Sequence, residues 1–126
     1  MARVVSLFPD LLFGSKVQGM LTAAGHGVQL AAGDAAGQVT ECDVLVVDLT
    51  EDDVARIETV QALREVGAVR AGTRLLAFYL HTEVDVRKRA LAANFDLVVP
   101  RSRMAREGAA LVDGLVASAG TSSSRA

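Results

Sequence analysis

Apolar residues fall into short, nearly unbroken runs, separated by longer stretches in which they recur every three or four positions. The runs Arg3 to Phe8, Asp43 to Leu49, Leu75 to Leu80 and Leu97 to Val99 are rich in Val and Leu, as strands covered on both faces must be. A weaker run, Gly27 to Ala32, follows the turn Gly25-His26-Gly27 and makes five strands. Between the strands, Phe13, Val17, Met20, Leu21 and Ala24 line up as one stripe of a helix that Gly25 stops. Val54, Ile57, Val60 and Leu63 mark another helix, ended by Gly67, and Met104, Leu111, Val112, Leu115, Val116 and Ala119 mark the last. Glu83 to Asn94 is a shorter and more polar helix, and Gly33 to Glu41 reads as one or two helical turns.

Two helix starts are legible from chemistry as well as pattern. Thr50-Glu51-Asp52-Asp53 and Thr82-Glu83-Val84-Asp85 both have the capping-box form, with Asp in place of the preferred Glu. Each directly follows a strand, which puts short strand-to-helix turns at the carboxyl ends of the third and fourth strands. Strands alternating with helices imply a parallel sheet with right-handed crossovers. The expected fold is therefore α/β and flavodoxin-like: a doubly wound five-stranded parallel sheet in order 2-1-3-4-5, with three α/β/α layers. A single domain is expected over residues 1–120, followed by a Ser-rich tail over 121–126 that composition assigns to disorder.

Composition narrows the class. The chain has 126 residues, 51% hydrophobic and 22% charged, with no Trp and one Tyr, so its core is aliphatic. Cys42 is the single cysteine, which excludes an internal disulfide, and its apolar surroundings suit a small buried hydrophobe better than a reactive thiol. Pro9 and Asp10 interrupt the apolar N-terminus too early for a signal-peptide core, and no run approaches a membrane span, so the cytoplasm is expected. The net charge of -2 is unevenly spread: residues 1–65 carry 4 basic and 10 acidic side chains, residues 66–126 carry 9 and 5. That asymmetry fits either an ordinary solvated surface or two oppositely charged faces that steer a partner. Overall acidity and the lack of stacking aromatics disfavour nucleic acid.

In a doubly wound sheet, ligands bind outside the carboxyl ends of the strands, where the strand order reverses. The residues predicted there are Ser6, Asp10, Asp48, Thr50, His81, Thr82, Arg101 and Ser102. Asp48 stands out because it ends the run Val44-Leu45-Val46-Val47, where a carboxylate is costly unless solvated, paired or hydrogen-bonded. It is either a cleft-edge carboxylate bonded to amides of the next helix or a functional acid. Thr50, Asp53, Thr82 and Asp85 are explained as helix caps, and His26 as a turn residue. Leu11-Leu12-Phe13 cannot all face one core, so part of that cluster is expected to be exposed.

The segment Val46-Val47-Asp48-Leu49-Thr50 resembles the third strand of response-regulator receiver domains, which ends in a phosphoacceptor aspartate. Leu21-Thr22-Ala23-Ala24-Gly25-His26-Gly27-Val28 resembles the end of their first helix. Asn94-Phe95-Asp96-Leu97-Val98-Val99-Pro100-Arg101-Ser102 is similar to their last strand, with Arg101 and Ser102 in the Lys and Pro places. The likeness spans nearly the whole chain before the tail, although most of it is general α/β pattern. Receivers hold Mg²⁺ with two acidic residues after the first strand, and by spacing from Gly25 those places are Leu7 and Phe8. Mg²⁺ requires oxygen ligands, and Asp10 supplies only one displaced carboxylate. The switch Ser or Thr is His81, with Thr82 beside it, and the Lys is Arg101.

The resemblance therefore implies a degenerate pseudo-receiver. Asp48 keeps a vestigial phosphoacceptor position without efficient phosphorylation, because the metal that offsets phosphoryl charge has no ligands. The expectation includes no catalytic residues, no metal and no cofactor. It includes protein contacts, or a homodimer through the fourth helix, fifth strand and fifth helix. The alternative is a small-molecule or anion sensor, with Arg101 and His81 facing the anion. An enzyme, whether a working phosphoacceptor or a hydrolase, is the least favoured, because no nucleophile–base pair is legible.

Overall fold

A computed structural model of the chain describes residues 2–10, 12–31, 39 and 41–125, of which 119–125 are described by their backbone alone. The elements run β1 (Arg3–Leu7), α1 (Phe13–Ala23), β2 (Gly27–Ala31), β3 (Val44–Asp48), α2 (Asp53–Glu65), β4 (Arg74–Tyr79), α3 (Val84–Ala92), β5 (Leu97–Pro100) and α4 (Arg101–Arg125). Most of the helical turns expected over Gly33 to Glu41 lie outside the described residues. The fourth and fifth helices of the sequence reading are thus α3 and α4.

All strand pairings are parallel, in the order β2-β1-β3-β4-β5. This is the flavodoxin-like α/β fold expected from the pattern. Strand periodicity divides the core in two. Val5, Leu7, Leu45, Val47, Leu75 and Ala77 pack with Val60 and Leu63 of α2 and Val86 and Ala90 of α3. Val4, Val44, Val46, Leu76 and Phe78 face the other way, toward Phe13, Val17 and Leu21 of α1 and Met104, Val112 and Leu115 of α4. Phe13 and Phe78 meet edge to face, with ring centroids 5.1 Å apart.

Gly25 and Gly67 end α1 and α2 in the left-handed region, at φ 94° and 77°, where a Cβ would be strained. Val54, which belongs to the stripe of α2, is nevertheless half exposed. Leu12 is exposed and Phe13 is buried, which divides the Leu11-Leu12-Phe13 cluster; Leu11 itself lies outside the described residues.

Two expectations need correction. Neither predicted capping box forms: α2 starts at Asp52 in a left-handed conformation, α3 starts at Glu83, and neither start has a side-chain cap. Thr50 turns back to Asp48 instead, and Asp53 bonds Arg89 at 2.7 Å. Magnitudes explain the choice at Thr50: a helix cap contributes about 1 kcal/mol, whereas a buried carboxylate without partners costs more. The helical backbone of α4 is described as far as Arg125.

Candidate functional site

The carboxyl ends of β1, β3 and β4 meet the starts of α1, α2 and α4 around two adjoining hollows that share Leu80 and Arg101. The first, about 250 Å³, is lined by Phe8, Pro9, Asp10, Asp48, Thr50, Glu51 and Arg56 besides the shared pair. The second, about 300 Å³, adds Phe13, His81, Ser102 and Ala105 and is the more apolar.

Asp48 closes β3 and is only 3% exposed. Its Oδ1 accepts the Thr50 backbone N–H at 2.8 Å and the Thr50 hydroxyl at 2.5 Å. Arg56, in the first turn of α2, donates from Nη1 to the Asp48 carbonyl oxygen at 2.9 Å and stands 3.9 Å from Oδ1. The same guanidinium lies 4.9 Å from the centroid of the Phe8 ring, a cation–π distance. Phe8 itself has φ 59°, a left-handed conformation that costs a non-glycine residue on the order of 1–3 kcal/mol. A bond from its N–H to the Ala31 carbonyl (3.0 Å) and packing of its ring against the α2 side of the core hold it there.

Asp10 does a different job. Its Oδ1 accepts the N–H groups of Leu12 (2.7 Å) and Phe13 (2.9 Å), which fixes the entry to α1, while Oδ2 faces Arg101 at 3.7 Å. The Phe13 and Leu12 amides, with a smaller contribution from Arg101, hold its carboxyl below the ordinary carboxylate range. Arg101 lies over the Phe13 ring at 4.3 Å.

The structure thus gathers Asp10, Asp48, Thr50 and Arg101 around one hollow, and places His81 and Ser102 with Arg101 around its neighbour. Ser6 is buried within β1, in register with Leu30 and Val46, and lines neither hollow. Thr82 is exposed in the turn after β4 and also lines neither. Two residues escaped the sequence reading. Arg56 had no signal beyond its place one helical turn into α2. His26 is buried, accepts the Ala2 N–H on Nδ1 (3.1 Å) and bonds Asp113 through Nε2 (2.7 Å), so it pins β1 to α4.

No protein-family model and no curated protein matches the sequence. Solved structures do match. The receiver domain of the Francisella response regulator 1452 aligns over 92% of this chain and 97% of its own, at 16% identity and a TM-score of 0.75. A response regulator from Thermotoga maritima aligns over 93% and 99%, at 13% identity and a TM-score of 0.74. The pilus assembly protein CpaE from Caulobacter crescentus aligns over 87% and 92%, at 8% identity and a TM-score of 0.60. The chain has the receiver-domain fold.

That fold brings with it the question of Mg²⁺, which needs oxygen ligands in near-octahedral array. Of the two positions at which spacing from Gly25 predicts acids, Leu7 is fully buried in the core and Phe8 presents a ring under a guanidinium. Asp10 is committed to two amides and Arg101. Among the described residues, no three His, Cys, Asp or Glu side chains stand close enough to hold a metal ion. The residues present do not fit the cation. Nor, among the described residues, is any helix long and apolar enough to cross a membrane.

Proposed function

We propose that this receiver-fold chain is a cytoplasmic signalling module that works through protein contacts, without efficient phosphorylation of Asp48. One observation carries the reading: Asp48 Oδ1 is engaged inside the chain by the Thr50 amide and hydroxyl, and among the described residues no three His, Cys, Asp or Glu side chains stand together to bring a metal to it. Phosphoryl transfer to a carboxylate sets anion against anion, and without a cation shared by acceptor and phosphate the barrier stays high. Asp48 is then a structural carboxylate at a vestigial acceptor position.

The contact surface in this reading is the face of α3, β5 and α4, through which a second copy would dock. Its support is local. β5 is an edge strand, its Leu97, Val98 and Pro100 are partly exposed, and Leu91 of α3 is exposed. Unpaired strand edges and exposed apolar groups favour association.

The test uses a small phosphoryl donor such as acetyl phosphate with Mg²⁺, read by intact mass. The expected result is no phosphoryl adduct, and an adduct that disappears in Asp48→Asn would overturn the reading. Light scattering across concentration tests the dimer, and a chain that stays monomeric at the highest concentration would remove it.

A further inference from the structure

Arg56 is the feature of this hollow that the proposed function leaves unused. Its side chain is 18% exposed, it reaches the Asp48 carbonyl oxygen at 2.9 Å, and it stands 3.9 Å from the carboxylate. The Phe8 ring lies beneath it, 4.9 Å away, at one of the two positions where the spacing from Gly25 predicts an acid. We infer that Arg56 is a resident cation: its guanidinium takes the place beside Asp48 that a divalent ion would need, and bars such ions from the hollow.

Charge and geometry agree on this. The hollow is lined by three carboxylates, Asp10, Asp48 and Glu51, and by two guanidinium groups, Arg56 and Arg101. Arg101 is turned toward Asp10 and lies over Phe13, so Arg56 is the cation that faces Asp48. With both arginines the lining carries one net negative charge; without Arg56 it carries two. A guanidinium stays protonated at any physiological pH and, being covalently attached, cannot be diluted or exchanged. The aromatic face of Phe8 suits a cation and offers no oxygen to a metal. The charge that a phosphoryl-transfer site recruits from solution is here part of the chain, so the state of the hollow does not follow the metal concentration. This inference rests on the reading of Asp48 as unphosphorylated, and deepens it.

Mn²⁺ is the probe, because it broadens amide NMR signals near any site that it enters. In the full wild-type chain at millimolar Mn²⁺, the amides of Phe8, Asp10, Asp48 and Thr50 should keep their line widths. In Arg56→Gln they should broaden selectively, and in Arg56→Lys, which keeps the charge, they should not. Arg56→Met, which keeps the length and the apolar contact with Phe8, serves if Arg56→Gln fails to give a folded spectrum. Broadening at these amides in the wild type would overturn the inference, and so would its absence in a folded neutral variant. The two proposals fail separately: metal entry without an acetyl phosphate adduct removes only the resident cation, whereas an adduct on Asp48 removes the function reading itself.

Discussion

Asp48→Ala should destabilise the fold, and the sign of the effect carries the argument. The substitution deprives the Thr50 N–H and hydroxyl of their acceptor and leaves Arg56 facing an apolar methyl, with only the backbone carbonyl of residue 48 retained. Hydrogen bonds to a charged group contribute roughly 1.5–3 kcal/mol each, and breaking one partner of a buried ion pair costs about 3–5 kcal/mol. Thr50 is partly solvated and Arg56 stands at a long 3.9 Å, so the low end applies and the loss is about 3 kcal/mol. For 126 residues the unfolding entropy is on the order of 0.26 kcal/mol/K, so the melting temperature should fall by about 11 °C. Asp48→Asn keeps an acceptor oxygen and should lose about a third as much. Urea titration with thermal melts measures both. A carboxylate set among other carboxylates to attract a metal gives the opposite sign, because removing its charge relieves repulsion. A variant as stable as the wild type, or more stable, would refute the structural role of Asp48.

Two helix glycines should respond oppositely to alanine. A Cβ at Gly14 would lie 2.7 Å from Pro9 Cβ and 3.3 Å from its Cα, so Gly14→Ala should cost about 1–3 kcal/mol, whereas exposed Gly19 has nothing within 4 Å and Gly19→Ala should gain about 1 kcal/mol; urea titration of both variants checks the pair. The lowered carboxyl of Asp10 contributes stability that is present above the ordinary carboxylate pKa and is lost as pH falls through the folded-state value. Acid titrations of wild type and Asp10→Asn should therefore converge at low pH, and curves that stay parallel would contradict the assignment. Burial pushes the Cys42 thiol up, so its contribution is full below the ordinary thiol pKa and fades as pH rises through the folded-state value; reaction with a thiol reagent at neutral pH should proceed only at the unfolding rate, and a fast reaction would contradict the burial.

The fold was readable because its signals are local and repeated. Val- and Leu-rich runs set β1, β3 and β4 within a residue or two, and the stripe from Phe13 to Leu21 set α1. The alternation of strand and helix implied a parallel sheet, and the order common to doubly wound five-stranded domains is the one found. The site was legible only as a place. Asp48 announced itself by interrupting an apolar run, but its partners could not be assigned, because a Thr two residues downstream has the same local pattern whether it caps a helix or bonds the aspartate. The capping boxes failed on that ambiguity: Thr50 chose the buried acceptor, and Asp53 chose an arginine 36 residues away. Arg56 and His26 were hidden for the same reason. Their roles depend on Phe8 and Asp113, contacts that only the folded topology creates. The charge asymmetry between the two halves is also partly consumed inside the fold, where Arg89 and Arg101 of the second half pair with Asp53 and Asp10 of the first.

The central claim is that a receiver fold is retained here while its acceptor aspartate has been given over to structure. Amide NMR spectra of the whole chain, with and without Mg²⁺ plus beryllofluoride, a mimic of aspartyl phosphate, test it most directly. The account predicts that the two spectra coincide. Shifts clustered at Asp48, His81 and Arg101 would show a working acceptor site and would contradict it.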